Sequence, residues 1–227
     1  MGWETPARNA DESAEPVPQT TVRRMSTSPD RLRQLVSVAT TAANLDKPAR
    51  FCLADFAGRL AELSGLALTP ACELVLDAQR HDEFVAWITP RDSSFFPPDA
   101  AQTGIDLDAL VVVRVPTPRD VGRASDPLLR SGAFGLVVLD LGAHALLPTP
   151  LQARLLGLAQ KHHTALLCLT DKPRGAPSLG SLVSLHAYAH RRRVASHFIC
   201  ELIVEKDKRR GPTWKHEALC HGPAGLR

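Results

Sequence analysis

The sequence predicts an α/β fold: a mainly parallel central sheet flanked by helices, with antiparallel strands at its C-terminal edge. Three observations carry this expectation. From Gly58 onward, short apolar runs alternate with amphipathic stretches, the pattern of parallel strands joined by helices. The last two strand-like stretches show partial period-two alternation instead, as antiparallel strands do. With 227 residues, 44% hydrophobic and 22% charged, the chain can bury one sizeable core and carry a tail, while two full domains would be a squeeze.

Taken in order, residues 1–27 mix Pro, Ser, Thr and acids with few apolar side chains, so burial cannot offset their ordering entropy and they read as a disordered tail. A helix start follows at Ser28-Pro29-Asp30, with proline at an early helical position and an acid in the first turn. Leu32, Leu35, Val36 and Ala39 then fall at helical spacing, and the helix ends near Asn44, ahead of Lys47-Pro48. Residues 28–46 are thus a helix and linker outside the core, and the narrow apolar stripe is a candidate partner surface. The core spans residues 47–227. RLAELS (59–64) and EFVAWI (83–88) read as strands flanking a helix at 71–81; LVVVRV (110–115) and GLVVLDL (135–141) flank a second helix near 118–130. In TPLQARLLGLAQKHH, Thr149 is the expected N-cap and Pro150 the first helical residue, leading into the strand ALLCLT (165–170). After the loop DKPRGAPSLGS, the stretches SLVSLHAYAHRR and ASHFICELIVEKD supply the antiparallel strands. No internal repeat is present.

Several function classes are disfavoured at once. No window approaches the ~18 apolar residues of a membrane span, and the stretch MGWETPARNADESAEP lacks the charged-then-apolar order of a signal peptide. Five cysteines, at 52, 72, 168, 200 and 220, make an odd count without a CxxC pair, which suggests neither a disulfide framework nor a zinc knuckle. The expected location is the reduced cytoplasm, with no membrane association. His186 and His190 on a strand would lie about 13 Å apart at ~3.3 Å per residue, too far for one ion, and no metal site is expected. There is no GxSxG elbow, and His221 directly follows Cys220, so on a strand the two would point to opposite faces.

The net charge of +3 hides an asymmetry. Residues 172–227 hold 11 Lys and Arg against 4 Asp and Glu, whereas residues 1–171 hold 16 against 20. A basic end of this kind favours a polyanion or an acidic protein surface as partner. Arg191, Arg192, Arg193, Lys206, Lys208, Arg209 and Arg210 are the candidate contacts, with Tyr188 and Trp214 the nearby large aromatics. Weak, salt-sensitive contact with single-stranded DNA, in the range of ~10⁻⁴–10⁻⁶ M, is the accompanying expectation.

The order of segments GRLAELSG, DAQRHDEFVAWI and GIDLDALVVVRVPTPRDVGRASDPLLRSGAFGLVVLDL resembles the core of the RecA recombinases, most specifically in LLRSGAFGLVVLDL (128–141). LIVEKDKRRGPTWKHEAL resembles the strand-turn-strand that ends that core, so the likeness covers roughly residues 50–225 and implies a RecA-like core. It places Asp140 at the magnesium-associated aspartate, a relic of Walker B. A Walker A loop needs Gly-x-x-x-x-Gly-Lys-Ser/Thr, because backbone N–H groups cradle the phosphates while the lysine meets the β/γ oxygens. Here the stretch is GLALTPACE (65–73), and there is no glycine or lysine between Gly65 and Gly104. The resemblance also puts Arg91 where the family has its catalytic glutamate, and Thr170 and Asp171 in place of its Asn-Gln sensor pair. Phosphoryl transfer needs several positioning and electrostatic groups together, so the expectation is no enzyme and no cofactor.

Lys206 and Lys208 match a lysine pair that in RecA filaments reaches toward ATP held by the neighbouring subunit. That likeness implies a protein able to present lysines to another protomer's nucleotide while holding none, and so to cap a filament. Among short RecA-like chains without an ATP site, the pattern is more similar to the ImuA proteins of mutagenesis cassettes than to the SulA division inhibitors, which remain the alternative. The ImuA likeness implies an adaptor in the SOS response and DNA-damage-induced translesion synthesis. Its implied partners are RecA, an inactive Y-family polymerase homologue and an error-prone DnaE-type polymerase. A single-stranded DNA-binding module acting through the basic C-terminal segment is the other alternative.

Overall fold

A computed structural model describes residues 1–2, 51–93, 95–143, 145–194, 197–211 and 214–220, and the architecture below is that of residues 51–220. The expected tail and the expected helix and linker at 28–46, with Leu32, Leu35, Val36 and Ala39, lie outside the described residues.

The elements run α1 (Leu53–Phe56), β1 (Leu60–Gly65), α2 (Leu68–Gln79), β2 (Val85–Pro90), α3 (Pro97–Gln102), β3 (Leu110–Val115) and α4 (Pro118–Ser131). They continue with β4 (Leu136–Gly142), α5 (Thr149–His162), β5 (Ala165–Thr170), β6 (Leu185–Val194), β7 (His197–Asp207) and β8 (Lys215–Cys220). The strands form one sheet in the order β3-β2-β4-β5-β1-β6-β7-β8. Pairing is parallel from β3 through β6 and antiparallel for β6–β7 and β7–β8, as the apolar runs and the later alternation predict.

The central strands are apolar on both faces because both faces are covered. Ala61, Leu63, Val85 and Trp87 point into a cluster with Phe56, Leu74 and Val75, and the Trp87 ring stacks on Phe95 with centroids 4.0 Å apart. Leu60, Ala86, Ile88 and Leu139 point the other way, onto Val121, Leu129, Leu155 and Val183. Gly122 lets α4 approach α5 and the loop before it, since a Cβ there would stand 3.0 Å from Leu151 Cδ2 and 2.6 Å from Leu147 Cδ1.

Four boundaries differ from the sequence reading, each for a physical reason. β2 starts two residues later than EFVAWI suggests: Val85–Pro90 is buried throughout between β3 and β4, whereas Phe84 is exposed. α2 begins at Leu68, so Pro70 falls in its first turn, where a helix has no use for the missing N–H. α5 has Pro148 as N-cap, with no side-chain capping bond, and Thr149 is its first helical residue. β6 starts at Leu185, because residues 171–184 form a long crossover. α1 and α3, at 4 and 6 residues, are too short to show a helical period.

The C-terminal antiparallel strands are tied to the start of the sheet by a buried pair. Arg59 Nη2 lies 2.6 Å from Asp207 Oδ1, and Arg59 also donates to Ser184 O at 3.0 Å. Burial alone would raise the Asp207 pKa, yet the Arg209 N–H, the Arg59 guanidinium and the Trp214 indole together hold it below its ordinary value. Arg210 adds a two-pronged pair with Asp55, at 2.8 and 3.1 Å.

Leu74 is fully buried on α2 against the sheet. Leu74→Ala should cost about 2–5 kcal/mol, the range for a buried leucine that leaves a cavity, read as a lowered urea midpoint with an unchanged denaturant slope.

Candidate functional site

In an open parallel sheet, binding crevices lie beyond the carboxyl ends of the strands. A cavity of about 360 Å³ occupies that place here, at the ends of β1, β2, β4 and β5. Its floor and walls include Gly65, Pro90, Asp140, Gly142, Leu169 and Thr170.

The turn from β1 to α2 decides what the cavity can hold. Only Leu66 and Ala67 separate the strand from the helix, and Gly65 enters the turn at φ +77°. The Leu66 N–H donates to Ala189 O at 2.9 Å and the Ala67 N–H to Gly65 O at 2.8 Å, so both are spent on the protein itself. Pro70 has no N–H to give. A Cβ on Gly65 would stand 2.5 Å from Ala189 O and 2.7 Å from the Tyr188 ring, so β6 is packed directly against the turn. A phosphate cradle is made of backbone N–H groups left open around an anion. The two N–H groups of this turn are engaged, and its side chains are apolar.

Asp140 lies at the cavity edge, and its Oδ2 accepts hydrogen bonds from Thr89 Oγ1 at 2.8 Å and from Ser93 Oγ. Arg91 is exposed, and its N–H extends the sheet toward Val115 O. The Thr170 hydroxyl donates to Glu62 Oε1 at 3.0 Å, and Asp171 stands exposed at the rim, with its N–H on Gly142 O. Asp92, Asp140 and Asp171 face a single basic residue of the lining, Arg191. The lining therefore carries more negative than positive side chains.

Behind the cavity lies a polar network that the sequence reading does not foresee. Glu62 is fully buried on β1 and is met by the Thr170 hydroxyl, the Leu179 N–H at 2.6 Å and Lys172 Nζ at 2.9 Å. Beside it, Ser64 Oγ lies 3.2 Å from His186 Nε2, and His186 Nδ1 lies 3.5 Å from Glu205 Oε2. The order serine, histidine, carboxylate resembles a nucleophile with its base and orienting acid. Ser64 is fully buried, however, and neither it nor His186 lines the cavity, so the group packs the crossover against the sheet and has no reach to a substrate. Burial depresses the His186 pKa, and Lys172 and Lys206 add to this, outweighing the pull of Glu62 and Glu205. Ser64, His186 and Glu205 are too far apart in sequence for spacing to have signalled the arrangement.

The seven candidate basic residues do not form one patch. In the β6–β7 register His186 pairs with Lys206 and Arg191 with Cys200, which separates the two groups by about 17 Å at ~3.3 Å per residue. At one end, Arg191, Arg192 and Arg193 are exposed, with Arg191 over the Phe198 ring at 5.6 Å. At the other end the cations are engaged within the fold. Lys206 donates to Ser178 Oγ and Gly180 O at 3.3 and 3.2 Å, Lys208 to Ser181 O, Arg209 to Ala57 O at 3.4 Å, and Arg210 pairs with Asp55. Burial and the neighbouring Lys208 lower the Lys206 pKa. The two aromatics are also occupied. Trp214 Nε1 donates to Asp207 Oδ2 at 3.1 Å, and the Tyr188 ring crowds Gly65.

Thiol chemistry finds no foothold in the described residues whose cysteines shift. Burial pushes the Cys72 thiol up to about 11 and raises those of Cys52 and Cys168, the opposite of a reactive thiolate. Among the described residues no group of three His, Cys, Asp or Glu is placed to hold a metal ion, and His190 pairs with Glu201 at 3.0 Å while His186 faces Ser64 and Glu205. No helix among them is long and apolar enough to cross a membrane.

Neither a protein-family model nor a curated protein sequence matches the chain. Among solved structures the chain is similar to the crystal structure of the RadB recombinase, with a TM-score of 0.54 and 16% identity over 71% of this chain and 86% of that one. The fold is RecA-like.

The buried imidazole has a consequence for stability. Folded, His186 titrates below its ordinary value of 6.5, while the unfolded chain takes up that proton near 6.5. Stability is therefore full above pH 6.5 and is lost as pH falls from there through the folded value, because only the unfolded chain binds the proton in that window. Thermal melts across the window should show this fall, and His186→Gln should flatten it. An identical slope in the variant would place the proton elsewhere.

Proposed function

We propose that the chain is a non-enzymatic RecA-like adaptor of the ImuA branch, acting in DNA-damage-induced translesion synthesis. Its partners on this reading are RecA, the inactive Y-family polymerase homologue and the error-prone DnaE-type polymerase. One observation carries the proposal: the turn where a RecA-like fold would hold phosphate is two residues long, spends its N–H groups on its own fold and has no lysine. Asp140 alone cannot replace the several groups that phosphoryl transfer uses together, and here it serves as an acceptor for Thr89 and Ser93. A RecA-like chain without nucleotide chemistry retains surfaces, and surfaces are what an adaptor uses. The RadB recombinase has the same fold, which is consistent with descent from a recombinase. Autonomous DNA binding is less well supported, since the basic residues are divided and both nearby aromatics are engaged.

The purified chain should be captured by RecA assembled on single-stranded DNA with a non-hydrolysable ATP analogue, or by one of the two polymerase partners, and capture by RecA should reduce strand exchange. Failure to bind any of the three would overturn the adaptor reading. Removing residues 1–46 should abolish RecA binding while leaving the circular dichroism spectrum of the core intact. Saturating Mg-ATP should leave the melting temperature unchanged, whereas a ligand at 100 times its Kd would add ~2.7 kcal/mol.

A further inference from the structure

The carboxyl-end cavity has lost its fit for phosphate, yet it remains an open crevice with a definite chemistry. Its walls are apolar, from Leu66, Leu68, Pro90, Pro118, Leu141 and Leu169. Two of these, Leu66 and Leu68, are 51% and 38% exposed at the mouth. Large apolar side chains left in water around one crevice mark a protein-interaction surface more often than an accident of composition. Within the apolar walls stand three carboxylates, Asp92, Asp140 and Asp171, against Arg191 alone. Asp92 and Asp171 are both exposed, so their charge is directed to whatever enters.

We propose that this crevice is a docking pocket for an arginine side chain, flanked by apolar residues, on a partner protein. It rests on the adaptor reading for the nature of the partner and adds where, and by what chemistry, the partner is held. An arginine combines an apolar stem, which lies along leucine and proline walls, with a planar cation that meets carboxylates two bonds at a time. Apolar neighbours of that arginine would cover the exposed rim leucines, Leu66 and Leu68. The pattern of a cationic anchor in a pocket ringed by water-excluding contacts is the usual build of an interface hot spot. A nucleotide fails on charge, and among the described residues the three aspartates have no metal-holding geometry.

The test uses the full chain, labelled with nitrogen-15, and the acetylated, amidated probe peptide Ala-Leu-Arg-Leu-Ala, with matched peptides carrying citrulline or glutamate for arginine. The arginine peptide should shift the amides of Leu68, Asp92, Gly142 and Asp171 in a saturable way. Citrulline, which keeps the shape and loses the charge, should bind about tenfold more weakly or worse, and glutamate should not bind. The double substitution Asp92→Asn with Asp171→Asn, at two exposed positions, should weaken the arginine peptide by a similar factor with an unchanged far-ultraviolet spectrum. Equal binding of arginine and citrulline peptides, shifts confined to other surfaces, or no saturable shift at millimolar peptide would each overturn the pocket. The same double variant separates this proposal from the adaptor reading. If wild type and variant capture RecA or the polymerase partners equally, the pocket fails and the adaptor stands. If no such partner binds but the arginine peptide does, the adaptor reading fails and the pocket stands.

Discussion

A carboxylate removed from water costs several kcal/mol unless it is paired and hydrogen-bonded, and Glu62 is such a carboxylate, fully buried in the middle of the sheet. Its position explains its partners. β6 pairs with β1 on the side opposite β5, so the chain leaving β5 must pass over β1 to begin β6. That crossover, residues 171–184, carries no helix to cover the sheet. Glu62, on the strand beneath, draws it down through Lys172 and the Leu179 N–H and fastens it to the end of β5 through Thr170. Around this centre Gln152 holds Leu179 O at 3.1 Å, Lys172 holds Pro177 O at 3.0 Å, and Lys206 holds Ser178 and Gly180. A helixless crossover keeps its shape here by polar satisfaction, and the antiparallel half of the sheet is joined to the parallel half through it.

That arrangement changes the meaning of the basic C-terminal segment. Charge counted along the sequence suggests one cationic surface, but Lys206 and Lys208 are drawn onto the crossover, and Arg210 onto Asp55. A lysine that supplies the bond a loop carbonyl needs is not also available to reach a second molecule without leaving that carbonyl unpaired. Of the seven candidates, Arg191, Arg192 and Arg193 extend exposed from the other end of β6, near the cavity, while Lys208 and Arg209 are exposed but bonded to Ser181 O and Ala57 O. Net charge identifies how many cations a segment has. The register of the strands decides which of them a partner can meet.

The strands were the most legible part of the fold: ALLCLT matches β5 residue for residue, as a parallel strand covered on both faces must be a continuous apolar run, and LVVVRV matches the edge strand β3 through its β-branched residues although that strand is only partly buried. The same rule hides Glu62. In RLAELS nothing marks the glutamate as buried, whereas β1 lies between β5 and β6 with both faces closed. The partners that make its burial tolerable stand 108 and 117 residues away, beyond the reach of any local pattern. The candidate site was legible as a place and not as a shape. GLALTPACE marks the β1–α2 junction through its resemblance and its missing lysine, but the closure of the turn depends on β6, whose Ala189 O and Tyr188 ring come from far along the chain.

A crevice at the carboxyl ends of parallel strands is a product of topology, since the strands on either side of a reversal in order send their loops in opposite directions. It persists whether or not its loops bind anything. The chemistry of the crevice is set separately, by a few loop side chains and by whether the backbone N–H groups remain open. Here the Leu66 and Ala67 N–H groups are spent, Leu66 and Leu68 face water, and Asp92 and Asp171 supply negative charge, so a few loop residues give the site an apolar and acidic character that the sheet itself does not dictate. Asp140 fits both states for a local reason. Its carboxylate satisfies the hydroxyls of Thr89, which is buried, and Ser93, and removing it would leave those donors to find new partners. The fold thus has its own use for a carboxylate at this position, whatever else the position does.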